Sequence, residues 1–459
     1  MYLKQFYTPG LAHCSYLIGG EDECLIVDPS RDVEKYIKAA RSHGLKITGV
    51  IETHLHADFV SGHMDLMEAT GATLYAAEIA GFDVPHVAIK DQESVELETL
   101  RIQVIETPGH TPEGAVFVVS DLERGELPLL ALTGDTLLVG DVGRPDLFPD
   151  LKEDLAQKLY YSLKRLEDLE DGVEVYPAHG MGSLCGRSLS AKLSSTLGTE
   201  RAYNYALKIE SLEQFVKELL TGMPEAPDHF ARCSEINRMG PPSLSSLGLP
   251  KRTEPREFAR LVDEGHVIVD ARDQLAFSSG HIPGSYCLSL GGNYSTFSGW
   301  VLPPDKPLLL VVESESDLDG AVLGLQRVGL DNMAGFLDGG MTGWINAGMD
   351  VGQVESISVR EFKKRLEAGA VLGVDTRMKS EWDDGYIAGT IHAPAPDVRH
   401  RYTEWDPDKP IAVICSTGNR SIMAASLLKK RGFKRVINVT GGVTAWVAAG
   451  YQITSGDSV

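Results

Sequence analysis

An α/β protein in three parts is what three features of this 459-residue chain predict. Short apolar runs broken by Gly, Pro and Asp alternate with amphipathic helical stretches, such as 32–42 and 154–167. A proline- and serine-rich segment, 223–255, interrupts that alternation and reads as a linker. Beyond it a pattern of roughly 100 residues occurs twice, too long for a solenoid unit and suited to tandem domains of one fold. The domains expected are therefore 1–245, 251–352 and 353–459.

The repeat rests on three matched segments. Val267-Ile268-Val269-Asp270-Ala271-Arg272 returns as Leu372-Gly373-Val374-Asp375-Thr376-Arg377, and Gly280-His281-Ile282-Pro283-Gly284 returns as Gly385-Tyr386-Ile387-Ala388-Gly389. Gly339-Gly340-Met341-Thr342-Gly343-Trp344 is answered by Gly441-Gly442-Val443-Thr444-Ala445-Trp446. In each copy apolar strands alternate with helices, the pattern of a parallel sheet covered by helices.

Charge removes several function classes. With 65 acidic against 43 basic residues and a formal net charge of −22, bulk attraction to a nucleic-acid backbone or an anionic membrane is excluded. No apolar run approaches the roughly 20 residues of a membrane span, and the first residues lack a signal-peptide pattern, so a cytoplasmic location is expected. Six irregularly spaced cysteines read as reduced thiols rather than a disulfide framework.

Four polar clusters in the first part each follow a strand-like run: His54, His56 and Asp58 after 47–51, His110 after 104–106, Asp135 after 129–132, and His179 after 173–176. Delivered to one sheet edge, these imidazoles and carboxylates would converge on a cation with borderline ligand preferences. Hydrogen-bonded core histidines would explain any one cluster, but not four in order.

The run Thr53-His54-Leu55-His56-Ala57-Asp58, the segment Thr107 to Pro112, Thr133-Gly134-Asp135 and Pro177-Ala178-His179-Gly180 resemble the metallo-β-lactamase fold in its glyoxalase II and persulfide dioxygenase branch. The resemblance implies an αββα sandwich. Binuclear hydrolases of that fold carry a second-metal histidine after the motif Asp; here the residue is Phe59, which cannot coordinate. A mononuclear centre follows, and the dioxygenase resemblance implies one Fe(II) per chain on His54, His110 and Asp135, with His56, Asp58 and His179 orienting the ligands from behind. Zinc with His56 or His179 among its ligands is the competing reading. The segment Gly140 to Asp146 also resembles the dioxygenase branch. It offers Arg144 to a substrate carboxylate or sulfur oxyanion, against a plain salt bridge to Asp146 or Asp141. Cys185, in a Gly-Ser-x-Cys-Gly segment, is either a thiol that meets substrate sulfur or an inert buried one.

Near the C-terminus the buried-strand signal 411–414 and the helix signal 421–431 bracket Cys415-Ser416-Thr417-Gly418-Asn419-Arg420. Such a loop presents backbone N–H groups at a helix start, where a thiolate or persulfide anion is stabilised. Its six-residue length, with Cys415 first and Arg420 last, resembles rhodanese sulfurtransferases; related phosphatases have one residue more. Ser416, Thr417, Gly418 and Asn419 are the implied sulfur-binding positions. The first repeat keeps the rhodanese frame, but its loop, near Val312 to Asp317, has neither cysteine nor arginine and reads as silent.

The whole order resembles persulfide dioxygenase–sulfurtransferase fusions. It implies oxidation of a low-molecular-weight thiol persulfide by O2 to sulfite, with Cys415 passing a sulfane sulfur to sulfite to make thiosulfate, or the reverse. The relatives of the first part imply a homo-oligomer. Two alternatives stand: a zinc thioester hydrolase of glyoxalase II type with an appended sulfurtransferase, and a non-enzymatic sulfur carrier or sensor.

Overall fold

The computed structural model describes residues 1–187, 189–223 and 225–454. It divides into two compact units, 1–248 with 326–329, and 249–325 with 330–459.

The first unit is built on two six-stranded sheets. One starts as an antiparallel meander, Tyr2–Thr8, His13–Gly19 and Glu23–Val27, and continues through the parallel strands Lys46–Ile51, Thr73–Ala77 and Val87–Ile89. The other pairs Leu100–Glu106, Ala115–Asp121 and Pro128–Gly134 antiparallel, then adds Glu174–Pro177 in parallel. Alternation along these strands sends Tyr16, Val27, Ile51, Phe117 and Leu132 into a shared core. The opposite faces take helices: Glu34–Ser42 and His63–Thr70 on the first sheet, Lys152–Arg165 and Leu212–Leu220 on the second. This is an αββα sandwich, and its functional loops leave the C-terminal ends of strands Lys46–Ile51, Leu100–Glu106, Pro128–Gly134 and Glu174–Pro177.

The segment 223–255, read from its composition as a linker, contains a packed helix. Residues His229–Met239 form a helix that buries Phe230, Cys233 and Asn237. Three buried residues at i, i+3 and i+7 define one helical face, and the flanking prolines had hidden it from a reading by composition.

In the second unit two five-stranded parallel sheets share one strand order. Lys251–Thr253, Met333–Leu337, Leu308–Val311, Val267–Asp270 and Tyr286–Cys287 correspond to Glu355–Ile357, Val436–Val439, Ile411–Ile414, Leu372–Asp375 and Thr390–His392. Register fixes the equivalence of the loops. Asp270 pairs Val311 as Asp375 pairs Ile414, so Val312 occupies the position of Cys415 and Asp317 that of Arg420. Asp270–Arg272 and Asp375–Arg377 are matching buried ion pairs, each Arg also donating to a carbonyl, Gly280 O or Gly385 O. Among the described residues no helix is long and apolar enough to cross a membrane.

Candidate metal centre and thiol loop

His54, His110 and Asp135, all buried, bring one ligand atom each within 4.8 Å of one another. The ring orientation of both histidines is fixed from behind. Asp28 accepts from the Thr53 hydroxyl at 2.9 Å, which leaves the Thr53 oxygen to accept from His54 Nδ1, also at 2.9 Å. His110 Nδ1 donates to the Arg144 carbonyl at 2.9 Å. Each Nδ1 therefore carries the proton, and each Nε2 turns a lone pair toward Asp135, 3.9 Å away from His54 and 3.4 Å from His110. Neither Nε2 has a hydrogen-bond partner, though both are buried. Two orphaned imidazole nitrogens beside a carboxylate fit a divalent cation, since burying such atoms without one costs free energy.

His179 stands behind Asp135. Its Nδ1 lies 2.9 Å from the Asp135 carboxylate and its Nε2 2.9 Å from Asp58. Burial alone would lower the His179 pKa, but the two carboxylates outweigh it and hold the ring protonated well above the ordinary range. Burial would raise Asp135, yet His179, His110 and His54 together keep it far below the usual carboxylate range. His56 turns away from the triad, with Nε2 3.2 Å from Asp28 and 3.5 Å from Glu52. Phe59, fully buried, packs between His13 and His56 with ring centroids 4.2 Å and 4.4 Å apart.

The Arg144 guanidinium forks onto Asp146 at 2.7 and 2.8 Å and donates to Leu184 O, which ties the loop, and the Arg144 carbonyl holds His110. Gly143 explains why that segment needs a glycine: a Cβ there would lie 2.0 Å from Asp135 O and 2.8 Å from the His110 ring. Cys185 lies with Asp58 and His179 in a second buried group. Burial, then the charges of Asp58 and Asp135, push its thiol well above the ordinary cysteine value.

Sequence reasoning missed the residue that braces this centre. Asn237, on helix His229–Met239, donates from Nδ2 to His56 O at 2.8 Å and Phe59 O at 2.9 Å, and its Oδ1 accepts from Ser61 N at 2.8 Å. His229 adds a contact to Asp58 O at 3.3 Å. The metal-binding loop is thus clamped by a segment about 180 residues downstream, as the separations of 176 to 181 residues record.

In the second unit Cys415 directly follows strand Ile411–Ile414, and helix Asn419–Lys430 begins four residues later. Gly418 N donates to Cys415 Sγ at 3.1 Å, with Gly418 at φ +116°. Gly442 lets the next helix approach: a Cβ there would meet Cys415 O at 2.2 Å, and Val443 N and Thr444 N donate to Cys415 O and Ser416 O. Arg420 forms an ion pair with Glu381, and its Nη2 donates to Ser416 Oγ at 2.7 Å, while Ser416 Oγ donates to Glu381 at 2.6 Å. Burial would raise the Glu381 carboxyl, but Arg420 and Ser416 bring it down to about 2. Thr417 and Asn419 are exposed. Glu381 is a second residue that sequence reasoning missed; the first repeat has Ala276 in its place, so that copy lacks cysteine, arginine and glutamate together.

Two family models match. That of the metallo-beta-lactamase superfamily covers residues 8–179, and that of the rhodanese-like domain covers 254–347 and 358–449. The chain is 28% identical over 220 residues to the mitochondrial persulfide dioxygenase ETHE1 of Bos taurus, across 47% of this chain and 79% of that protein. It is 32% identical over 168 residues to a hydroxyacylglutathione hydrolase of Tolumonas auensis, across 36% of this chain and 60% of that one. A crystal structure of a metallo-beta-lactamase from Staphylococcus aureus superposes with a TM-score of 0.67 at 32% identity, covering 73% of this chain and 98% of that one.

Proposed function

The chain belongs to the metallo-β-lactamase superfamily and carries two rhodanese-like domains behind that fold, and from that premise we propose that it is a persulfide dioxygenase coupled to sulfur transfer. The observation that carries the reading is the triad His54, His110 and Asp135, with unpartnered Nε2 atoms, beside a Phe59 that leaves the second-metal position without its histidine. Two imidazoles and one carboxylate on one face form the donor set of mononuclear non-haem iron. One Fe(II) per chain held there would supply a site where persulfide sulfur and dioxygen react. The net reaction, RSSH + O2 + H2O → RSH + sulfite + 2 H⁺, balances in atoms and charge.

The chain's own residues then divide the work. Thr53 and the Arg144 carbonyl fix the two imidazoles, and His179, held by Asp58, fixes Asp135. At the second site the Cys415 thiolate attacks the outer sulfur of a second persulfide. The S–S bond breaks, RSH leaves with the persulfide's proton, and Cys415 keeps the sulfur as a persulfide anion. Gly418 N–H, already 3.1 Å from Sγ, donates to that anion. Sulfite attacks the terminal sulfur, thiosulfate departs and the thiolate returns. A thiol persulfide, O2 and sulfite are the small-molecule partners, and the same loop run backwards would load persulfide from thiosulfate.

The similarity to hydroxyacylglutathione hydrolases favours a second reading, a zinc thioester hydrolase. One experiment separates the two: metal analysis of protein purified without added metal, followed by oxygen uptake with glutathione persulfide. One iron per chain and oxygen consumption with sulfite formed support the dioxygenase. Two zinc ions, thioester hydrolysis and no oxygen uptake would establish the hydrolase instead.

A further inference from the structure

The silent repeat packs against the helix that carries the thiol loop. Ser426 Oγ accepts from Cys287 N at 3.1 Å, and Lys430 Nζ donates to Gly284 O at 2.7 Å. At the N-terminal end of the same helix the silent repeat touches the loop itself, through Gln274. The base of that side chain is fixed, because Gln274 opens helix Gln274–Ser279 and the Asp273 carboxylate caps it by accepting from Leu275 N at 2.8 Å.

Gln274 Nε2 donates to Thr417 O at 3.4 Å, and its carboxamide lies on Gly418, where an added Cβ would come within 2.0 Å of Oε1 and 3.0 Å of Nε2. Among the described residues no other group donates to Thr417 O. Thr417 O and Gly418 N belong to one peptide unit. That unit is planar and trans, so its carbonyl and its N–H point in opposite directions. The N–H is the one that donates to Cys415 Sγ, at 3.1 Å. Gly418, at φ +116°, can turn this peptide over at little steric cost, so a contact on the carbonyl side helps to hold the N–H on the sulfur. Packing alone does not explain a glutamine here. Its Oε1 is buried without a hydrogen-bond partner, which costs free energy that an apolar side chain of the same length would avoid.

We infer that Gln274 is a positioning residue of the sulfur-transfer site: it holds the Thr417 carbonyl and thereby aims the Gly418 N–H at the sulfur carried by Cys415. The inference rests on the reading of Cys415 as the relay. It gives the silent repeat a task that needs neither cysteine nor arginine in its own loop.

The test uses the full chain with thiosulfate as sulfur donor and cyanide as acceptor. Gln274→Met keeps the length of the side chain and removes its N–H. Deleting an anion-stabilising donor outright costs about 10²–10³ in turnover. Here the donor stays and loses only its aim, so a fall in kcat of about tenfold is expected, with a melting temperature equal to the parent's or higher. Loading Cys415 with sulfur should move the Gly418 amide resonance downfield in the parent, and by less in Gln274→Met. Gln274→Glu, which sets a carboxylate against the Thr417 carbonyl, should lower kcat at least as far. Parent-like turnover in Gln274→Met, or a fall in turnover with a lower melting temperature and an unchanged Gly418 response, would overturn the inference while leaving Cys415 as the relay. A parent whose turnover survived Cys415→Ser would overturn both.

Discussion

Replacing Asn237 by alanine should loosen the metal-binding loop although Asn237 contributes no ligand. The side chain is 1% exposed and satisfies three backbone groups of the loop, the carbonyls of His56 and Phe59 and the N–H of Ser61. Each buried group left unsatisfied costs about 1–3 kcal/mol, and water entering the vacated polar space recovers part of that, so a net loss of about 2–4 kcal/mol is expected. In a unit of this size that corresponds to roughly 4–16 °C in melting temperature. Because His54, His56 and Asp58 lie on the same loop, metal affinity should fall by about 10- to 100-fold, the usual effect of removing an outer support. Asn237→Asp should be no better than alanine: it keeps the acceptor for Ser61 N–H but sets a carboxylate against two carbonyl oxygens. Thermal melting of metal-free protein and metal titration of the variants measure the two effects separately. An alanine variant that melted with the parent and bound metal with the parent's affinity would refute the clamp.

Three further outcomes follow from the same geometry. His179→Ala removes the donor that faces Asp135 at 2.9 Å and should weaken metal binding by about 10- to 100-fold without unfolding the unit, as metal titration beside circular dichroism would show. Chelation should lower the melting temperature of the first unit, because metal restored at about 100 times its Kd adds about 2.7 kcal/mol to the folded state; calorimetry with and without chelator reads the shift. Glu381 has its folded pKa depressed from 4.5 to about 2, so its contribution is present above 4.5 and is lost as pH falls toward 2. The gap in melting temperature between the parent and Glu381→Gln should therefore be constant above pH 4.5 and narrow below it.

The parts of the fold and site legible in the sequence are those carried by local pattern. His54, His110, Asp135 and His179 each follow a strand-like run, and the sandwich brings those strand ends to one edge. The two parallel-sheet domains were legible because the chain repeats its own segments. What stayed hidden depends on long-range contact. Asn237 clamps a loop some 180 residues away, and nothing in 223–255 except the spacing of Phe230, Cys233 and Asn237 announced a buried helical face. The direction of Arg144 was open between substrate and Asp146, because a guanidinium two residues from a carboxylate satisfies either geometry; the fold turns it onto Asp146. Glu381 could have been found by comparing the repeats, since the first copy has Ala276 there.

Product analysis of Cys415→Ser tests the coupled reaction most directly. Iron-replete parent and variant are given glutathione persulfide and oxygen, and oxygen uptake, sulfite and thiosulfate are followed together. Equal oxygen uptake is expected in the two proteins, with thiosulfate as the parent's product and sulfite as the variant's, since only the second step needs the thiolate. Thiosulfate formed by the variant at the parent's enzymatic rate would contradict the coupled reaction.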